Sequence, residues 1–114
     1  MSKPLLVCKS VSGRLIRLSD NMWSKKILKD HPEFRERSEY LGEVRKTVEK
    51  PDYVVTGWAG EYLALRYCET APRGPKHLCV TYRELDDEGF IITTFFTSKV
   101  HKLLRRGVIW EKPK

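Results

Sequence analysis

The sequence predicts an α+β protein in which helices come first and an antiparallel sheet follows. Apolar residues recur at helical spacing from about residue 20 to residue 50, and from Tyr53 onward their period changes to two. The run 90–97 is rich in apolar and β-branched residues, which is typical of a central strand. Because the two kinds of element are segregated, we expect the helices to cover one face of the sheet. The 114 residues are expected to form a single domain, 1–114.

Strands are predicted in two groups. Short β-like runs at 4–8 and 15–18 flank turn residues and form an N-terminal hairpin. Three longer runs follow, and turn-rich loops join them into an antiparallel meander. These three strands are expected at 62–68, 77–83 and 90–97, and a last short strand is expected at 108–110.

The first predicted helix carries Trp23, Ile27 and His31 at positions i, i+4 and i+8. This spacing puts His31 at the edge of the apolar stripe. Because the residue before a proline disfavours helical geometry, Pro32 is expected to end the helix at His31.

Two further helices are predicted. One begins at Pro32 and continues to about Lys50, and Pro51 stops it. Its inward stripe consists of Phe34, Leu41, Val44 and Val48. The other is short, with Ser98 as its N-cap, and includes Leu103 and Leu104.

The net charge of +7 is distributed unevenly. Residues 1–31 contain seven Lys and Arg against two acidic residues, and residues 98–114 contain six against one. Residues 32–97, in contrast, contain nine against twelve. If the two ends of the chain lie together, they form a positive surface suited to a polyanion. The alternative is a charged surface that only aids solubility.

The three cysteines show no metal-ligand spacing, and their odd number favours buried free thiols in a reducing cytoplasm. No apolar stretch approaches the ~20 residues that span a bilayer, so we expect a soluble cytoplasmic protein. The three histidines also lack ligand spacing, and the glycines form no phosphate-loop or dinucleotide fingerprint. We therefore expect neither a metal nor a cofactor.

Four short motifs occur in a familiar order: His31-Pro32-Glu33, Pro51-Asp52-Tyr53-Val54, residues 78–83 and residues 89–95. This order resembles phage-type members of the barnase/EndoU/colicin/RelE nuclease superfamily, over roughly residues 20–110. The resemblance implies helices packed on a four-stranded antiparallel sheet and metal-independent cleavage of RNA. It also implies a functional histidine at the position of His31. Members often act as toxins that an antitoxin protein inhibits.

Five residues are candidates for catalysis: His31, Arg66, Arg83, Thr93 and Thr97. An imidazole titrates near neutrality and can transfer a proton, while a guanidinium can hold a phosphate by two hydrogen bonds. Both arginines are expected to point away from the apolar residues of their strands. The two threonines share one face of the central strand and could position that phosphate. The alternatives are a histidine that caps a helix, arginines in surface ion pairs with Glu61 or Glu84, and threonines that fill the core.

Seven residues are candidates for binding RNA. Lysines and arginines contact phosphates, and an exposed tryptophan stacks on an unpaired base. The set is Lys76, His77, Lys99, Lys102, Arg105, Arg106 and Trp58. Each could instead be a solvated side chain on a loop or on a helix face.

The sequence thus predicts an endoribonuclease that uses the 2'-hydroxyl of RNA as its nucleophile. Its second proton-transfer residue would be Lys76, His77 or Tyr82. The alternative is a non-catalytic module of the same fold that binds RNA or a protein.

Overall fold

The computed structural model of the chain describes residues 4–114. Seven strands form one sheet: β1 (Pro4–Lys9), β2 (Leu15–Ser19), β3 (Tyr53–Thr56), β4 (Glu61–Cys68), β5 (Lys76–Glu84), β6 (Gly89–Thr97) and β7 (Val108–Glu111). A π-helical segment, Met22–Ile27, continues into helix α1 (Leu28–Asp30), and a 3-10 turn follows at Pro32–Arg35. The remaining helices are α2 (Tyr40–Glu49) and α3 (Val100–Leu104).

The predicted hairpin and the predicted meander are both present, but they belong to one sheet. The strand order is β1-β2-β6-β5-β4-β3-β7, and β2 pairs with β6 in parallel through Ile16–Gly89 and Arg17–Phe90. The other pairs are antiparallel. The predicted α+β class is therefore correct. The four-stranded, purely antiparallel sheet is wrong, because the hairpin joins one side of the meander and β3 and β7 extend the other.

The predicted helix from Pro32 to Lys50 is also wrong in its extent. Residues 35–39 are charged or polar and exposed, so they offer no apolar side chain for a helix to bury. The regular helix begins only at Tyr40, whose ring is buried and whose hydroxyl donates to the Thr70 carbonyl oxygen at 2.7 Å. Val44 and Val48 of the predicted stripe are fully buried, whereas Leu41 is only partly buried.

The two faces of the sheet are covered by different helices, so the prediction that the helices cover one face is wrong. The first, which we call the helix-pair face, packs against α1, the 3-10 turn and α2 and contains Ala64, Leu78 and Val80. The second, the α3 face, contains Val55, Leu63, Leu65 and Cys79, on which α3 packs Val100, Leu103 and Leu104. Because α3 has only five residues, it covers only part of this face.

The three cysteines are buried and free, as predicted. Burial raises the pKa of Cys8 and of Cys79 to about 12. Both thiols are therefore protonated at neutral pH and act as small apolar side chains.

Candidate active site

Arg66 and Arg83 lie on opposite faces of the sheet. Arg66 pairs across the sheet with Leu78 on the helix-pair face, and its Nη1 lies 2.8 Å from Oε2 of Glu43 in α2. The expectation that both arginines point away from one apolar set is wrong, because the apolar sets of β4 and β5 are on different faces. Arg66 ties α2 to the sheet and does not join the other candidates.

Arg83 lies on the α3 face, opposite Glu61. Its Nη2 is 3.5 Å from Oε2 of Glu61, and its buried Nε has no hydrogen-bond partner among residues 4–114. Six residues of β5 separate Arg83 from His77, which corresponds to about 20 Å along a strand. The two side chains therefore cannot contact the same phosphate.

The threonines of β6 lie on both faces of the sheet, because successive side chains of a strand point to opposite faces. Thr94 is fully buried, and its hydroxyl donates to the Cys79 carbonyl oxygen at 2.7 Å. Thr93 and Thr97 are on the α3 face, where Thr93 lies beside Thr81 and Thr97 beside His77. They are four residues apart, about 13 Å along the strand, so they would contact different phosphates.

His77 and Thr97 are direct cross-strand neighbours at one end of the α3 face. The Tyr67 ring contacts His77 from β4, with 5.5 Å between ring centroids. Thr97 Oγ1 accepts a hydrogen bond from the Lys99 backbone N–H at 3.0 Å. This leaves the Thr97 hydroxyl proton free to be donated to a ligand.

His31 approaches the same strand from its side. β2 pairs with β6 only as far as Phe90. After β2 the chain turns into the π-helical segment, which contacts β6 and continues into α1. His31 ends α1, with a non-helical backbone (φ −132°, ψ 73°) as expected before proline, and its ring centroid lies 6.1 Å from that of Phe95. Its Nδ1 is 3.9 Å from Oε2 of Glu33, and its side chain is 30% exposed. His31 and His77 therefore flank the last residues of β6.

The surroundings of His77 favour its neutral form. Burial lowers the pKa of His77, and the Asp52 carboxylate opposes this effect only in part. Asp52 has partners of its own, since Oδ2 accepts from the Tyr67 backbone N–H at 2.8 Å and Oδ1 lies 3.2 Å from Lys112 Nζ. A cleft of about 340 Å³ opens here, lined by Asp52, Tyr53, His77 and residues 111–114.

The other two candidates for the second proton transfer are less suitable than His77. The ammonium group of Lys76 donates to the carbonyl oxygens of Pro72 and Gly74, which holds it in its own loop. Tyr82 is buried on the helix-pair face, and burial raises its pKa far above the usual value. It therefore cannot exchange a proton with a substrate on the α3 face.

The remaining RNA-binding candidates lie along α3 and beyond it. Lys99, Lys102 and Arg105 are exposed. Arg106 is held by Thr56 and lies 5.8 Å from the ring centre of Trp58, which is 77% exposed. The structure thus places His77 beside Thr97 and places His31 beside Phe95, two residues earlier on β6. Trp58 and Arg106 lie at the opposite end of the α3 face.

Within residues 4–114, no group of three or more His, Cys, Asp or Glu side chains has an arrangement that could hold a metal ion. No described helix is long and apolar enough to cross a membrane.

Helices on both faces of a largely antiparallel sheet, with two imidazoles near one end of its central strands, define an α+β protein with a candidate site for proton transfer. A family model described as phage-Barnase-EndoU-ColicinE5/D-RelE like nuclease2 matches residues 4–111, and the chain belongs to this family. The family match confirms the predicted superfamily and supports an enzyme of the endonuclease type. No curated protein and no solved structure matches significantly.

Proposed function

We propose that the protein is a metal-independent endoribonuclease in which His31 and His77 transfer the two protons. The observation that carries this proposal is that the two imidazoles flank the end of β6, where Thr97 can donate a hydrogen bond. RNA needs no metal for cleavage, because its own 2'-hydroxyl is the nucleophile. The protein has to move two protons and hold the phosphate.

In the proposed reaction, neutral His77 removes the proton of the 2'-hydroxyl. The 2'-oxygen then attacks the phosphorus, and the bond from phosphorus to the 5'-oxygen breaks. His31 donates a proton from Nε2 to the departing 5'-oxygen, while the Glu33 carboxylate faces Nδ1. The products are a 2',3'-cyclic phosphate and a free 5'-hydroxyl.

Thr97 and Lys99 are proposed to hold the reacting phosphate. The Thr97 hydroxyl donates to a non-bridging oxygen, and the positive charge of Lys99, two residues on, offsets charge that develops on the phosphorane. Arg83 and Thr93 lie too far along the sheet for this role and would contact neighbouring phosphates. An antitoxin partner and a cytoplasmic location stay predictions.

The nucleophile is tested with RNA whose 2'-hydroxyls are intact or replaced by 2'-O-methyl. The intact strand should be cut in the presence of excess chelator and should yield cyclic phosphate ends, whereas the methylated strand should not be cut. Denaturing gels and mass spectrometry of the products measure both. An absolute need for a divalent ion, or cleavage of the methylated strand, would contradict the mechanism. Binding of RNA without any product would favour the non-catalytic module.

The pH dependence provides a second test, since the pKa of His77 lies below its usual value. As a general base His77 must be neutral, so the acidic limb of kcat/KM should have its midpoint below about 6.5, the pKa of a free histidine. The need for a protonated acid in the same reaction should lower kcat/KM again at higher pH. The free energy of unfolding should also increase with pH. His77 binds a proton more readily in the unfolded chain than in the folded protein, so stability falls as the pH decreases below about 6.5. An acidic limb centred at or above that value would argue against His77 as the base.

A further inference from the structure

Trp58 stands at the tip of the β3–β4 hairpin, at the end of the sheet away from the two imidazoles. It is the most exposed large hydrophobic side chain among the described residues. The turn that carries it is tight: Ala59 and Gly60 both have positive φ angles, and the Glu61 N–H donates to the Trp58 carbonyl oxygen at 2.9 Å. The indole is thus held in solvent by a well-defined turn, where it contributes little apolar burial to the fold.

Arg106 lies against this indole and is itself held in place. Its guanidinium carbon is 5.8 Å from the ring centre, a distance at which a cation is attracted to the ring. Its Nε donates to the Thr56 carbonyl oxygen at 3.0 Å, and Thr56 Oγ1 donates to the Arg106 carbonyl oxygen at 2.9 Å. These two bonds fix the arginine relative to the hairpin, while most of the indole stays exposed.

A stripe of positive charge connects this pair with the proposed catalytic end. Lys99, Lys102 and Arg105 are spaced three residues apart, lie on one side of the helical segment and are exposed. Residues 98–110 contain no Asp or Glu. The stripe therefore favours a polyanion over a protein surface of mixed charge.

The length of this path can be estimated from the sheet. Tyr67 lies beside His77, and Glu61, at the base of the hairpin, is six residues further along β4, or about 20 Å. A stacked strand of nucleic acid rises about 3.4 Å per nucleotide, so the path corresponds to about six nucleotides.

We infer that Trp58 and Arg106 form a stacking subsite for an unpaired base of single-stranded RNA, about six nucleotides from the cleaved phosphate. The inference rests on the proposed function, because that function identifies the bound polymer as RNA. Every base has a face that can stack on an indole, but only in a single strand is that face accessible. The subsite would therefore select unpaired RNA without selecting its sequence.

The test measures binding of a fluorescent 12-nucleotide 2'-O-methyl RNA, alone and annealed to its complement, by anisotropy. This probe lacks the nucleophile, so binding does not depend on cleavage. The parent protein should bind the single strand more tightly than the duplex. Trp58→Ala should weaken single-strand binding by about 5- to 100-fold and leave duplex binding nearly unchanged, while Trp58→Phe should retain part of the preference.

Two control variants separate stacking from charge and from general loss of apolar surface. Lys102→Gln should weaken binding of both forms similarly, because it removes a phosphate contact. Leu5→Ala changes an exposed apolar residue on β1, at the edge of the sheet farthest from β3 and β7, and should change neither.

If Trp58→Ala weakened binding of the single strand and of the duplex equally, or weakened neither, the stacking subsite would be overturned. A parent protein that does not bind the single strand would also overturn it. Cleavage that fails while the single-strand preference and its Trp58 dependence persist would contradict the proposed catalysis and leave the subsite standing.

Discussion

Replacing His31 or His77 with alanine should lower RNA cleavage by about 10²- to 10⁴-fold, because each removes one of the two proposed proton transfers. The two variants should differ in their pH profiles. His77→Ala should lose the acidic limb of kcat/KM, whereas His31→Ala should retain it. Initial rates on a defined single-stranded RNA between pH 5 and pH 8 measure both effects.

His101→Ala is the matched control for this experiment. His101 is exposed on α3 and has no assigned role, so its variant should cleave at nearly the parent rate. The melting temperatures of all three variants should stay close to that of the parent. A His31 variant that cleaves normally but melts at a lower temperature would assign His31 to the end of its helix and remove it from the mechanism.

Gly89→Ala should destabilise the protein by about 3 kcal/mol, because an added methyl group has no space between β2 and β5. A Cβ at this position would collide with the Arg83 carbonyl oxygen and would lie 2.6 Å from Ile16 Cδ1. The carbonyl belongs to a paired strand and cannot move alone. Thermal unfolding should show a decrease in Tm of about 10 °C or more.

Gly42→Ala is the opposite case within the same chain. Gly42 lies in α2, and a Cβ there would meet no atom within 4 Å. Alanine should stabilise the helix by about 0.5 to 1 kcal/mol. A Gly89→Ala variant that melted at the parent temperature would contradict the close contact of β2 with the meander.

The sequence predicted the kinds of elements well, because their signals are local. The period-two runs gave β4, β5 and β6, and the hairpin followed from two short runs around a turn. Alternation along the strand also separates Thr94 from Thr93 and Thr97, but only the structure shows that the face of Thr94 is the buried one. The break at His31 followed from the chemistry of Pro32.

What the sequence could not predict depends on pairing between distant strands. The alternation within β4 and the alternation within β5 each have a clear apolar side, but only the register Arg66–Leu78 relates the two. Without that register Arg66 and Arg83 were assumed to share a face. The parallel pairing of β2 with β6 is equally non-local, since it joins residues more than seventy positions apart.

The residues of the candidate site also divide into those that local sequence signals indicate and those that depend on contacts between distant parts of the chain. His31 and Thr97 can be nominated from residue type and from the family resemblance, but His77 is placed among the binding residues and is only one of three candidates for the second proton transfer. Its role as a partner of His31 depends on the cross-strand neighbour Thr97 and on burial that lowers its pKa. A histidine that begins a strand beside a glycine-rich loop carries no local signal of that kind.

The parallel pairing of the hairpin with β6 also has a consequence for synthesis on the ribosome. The hairpin and His31 are made first, yet the strand on which they dock is complete only at Thr97. At about 5 to 20 residues per second, the nascent chain needs roughly 3 to 13 s to cover that interval. Until then no emerging fragment contains both imidazoles on a formed sheet. The proposed activity would therefore appear only after Thr97 has been synthesised, so a shorter nascent fragment is not expected to cleave RNA.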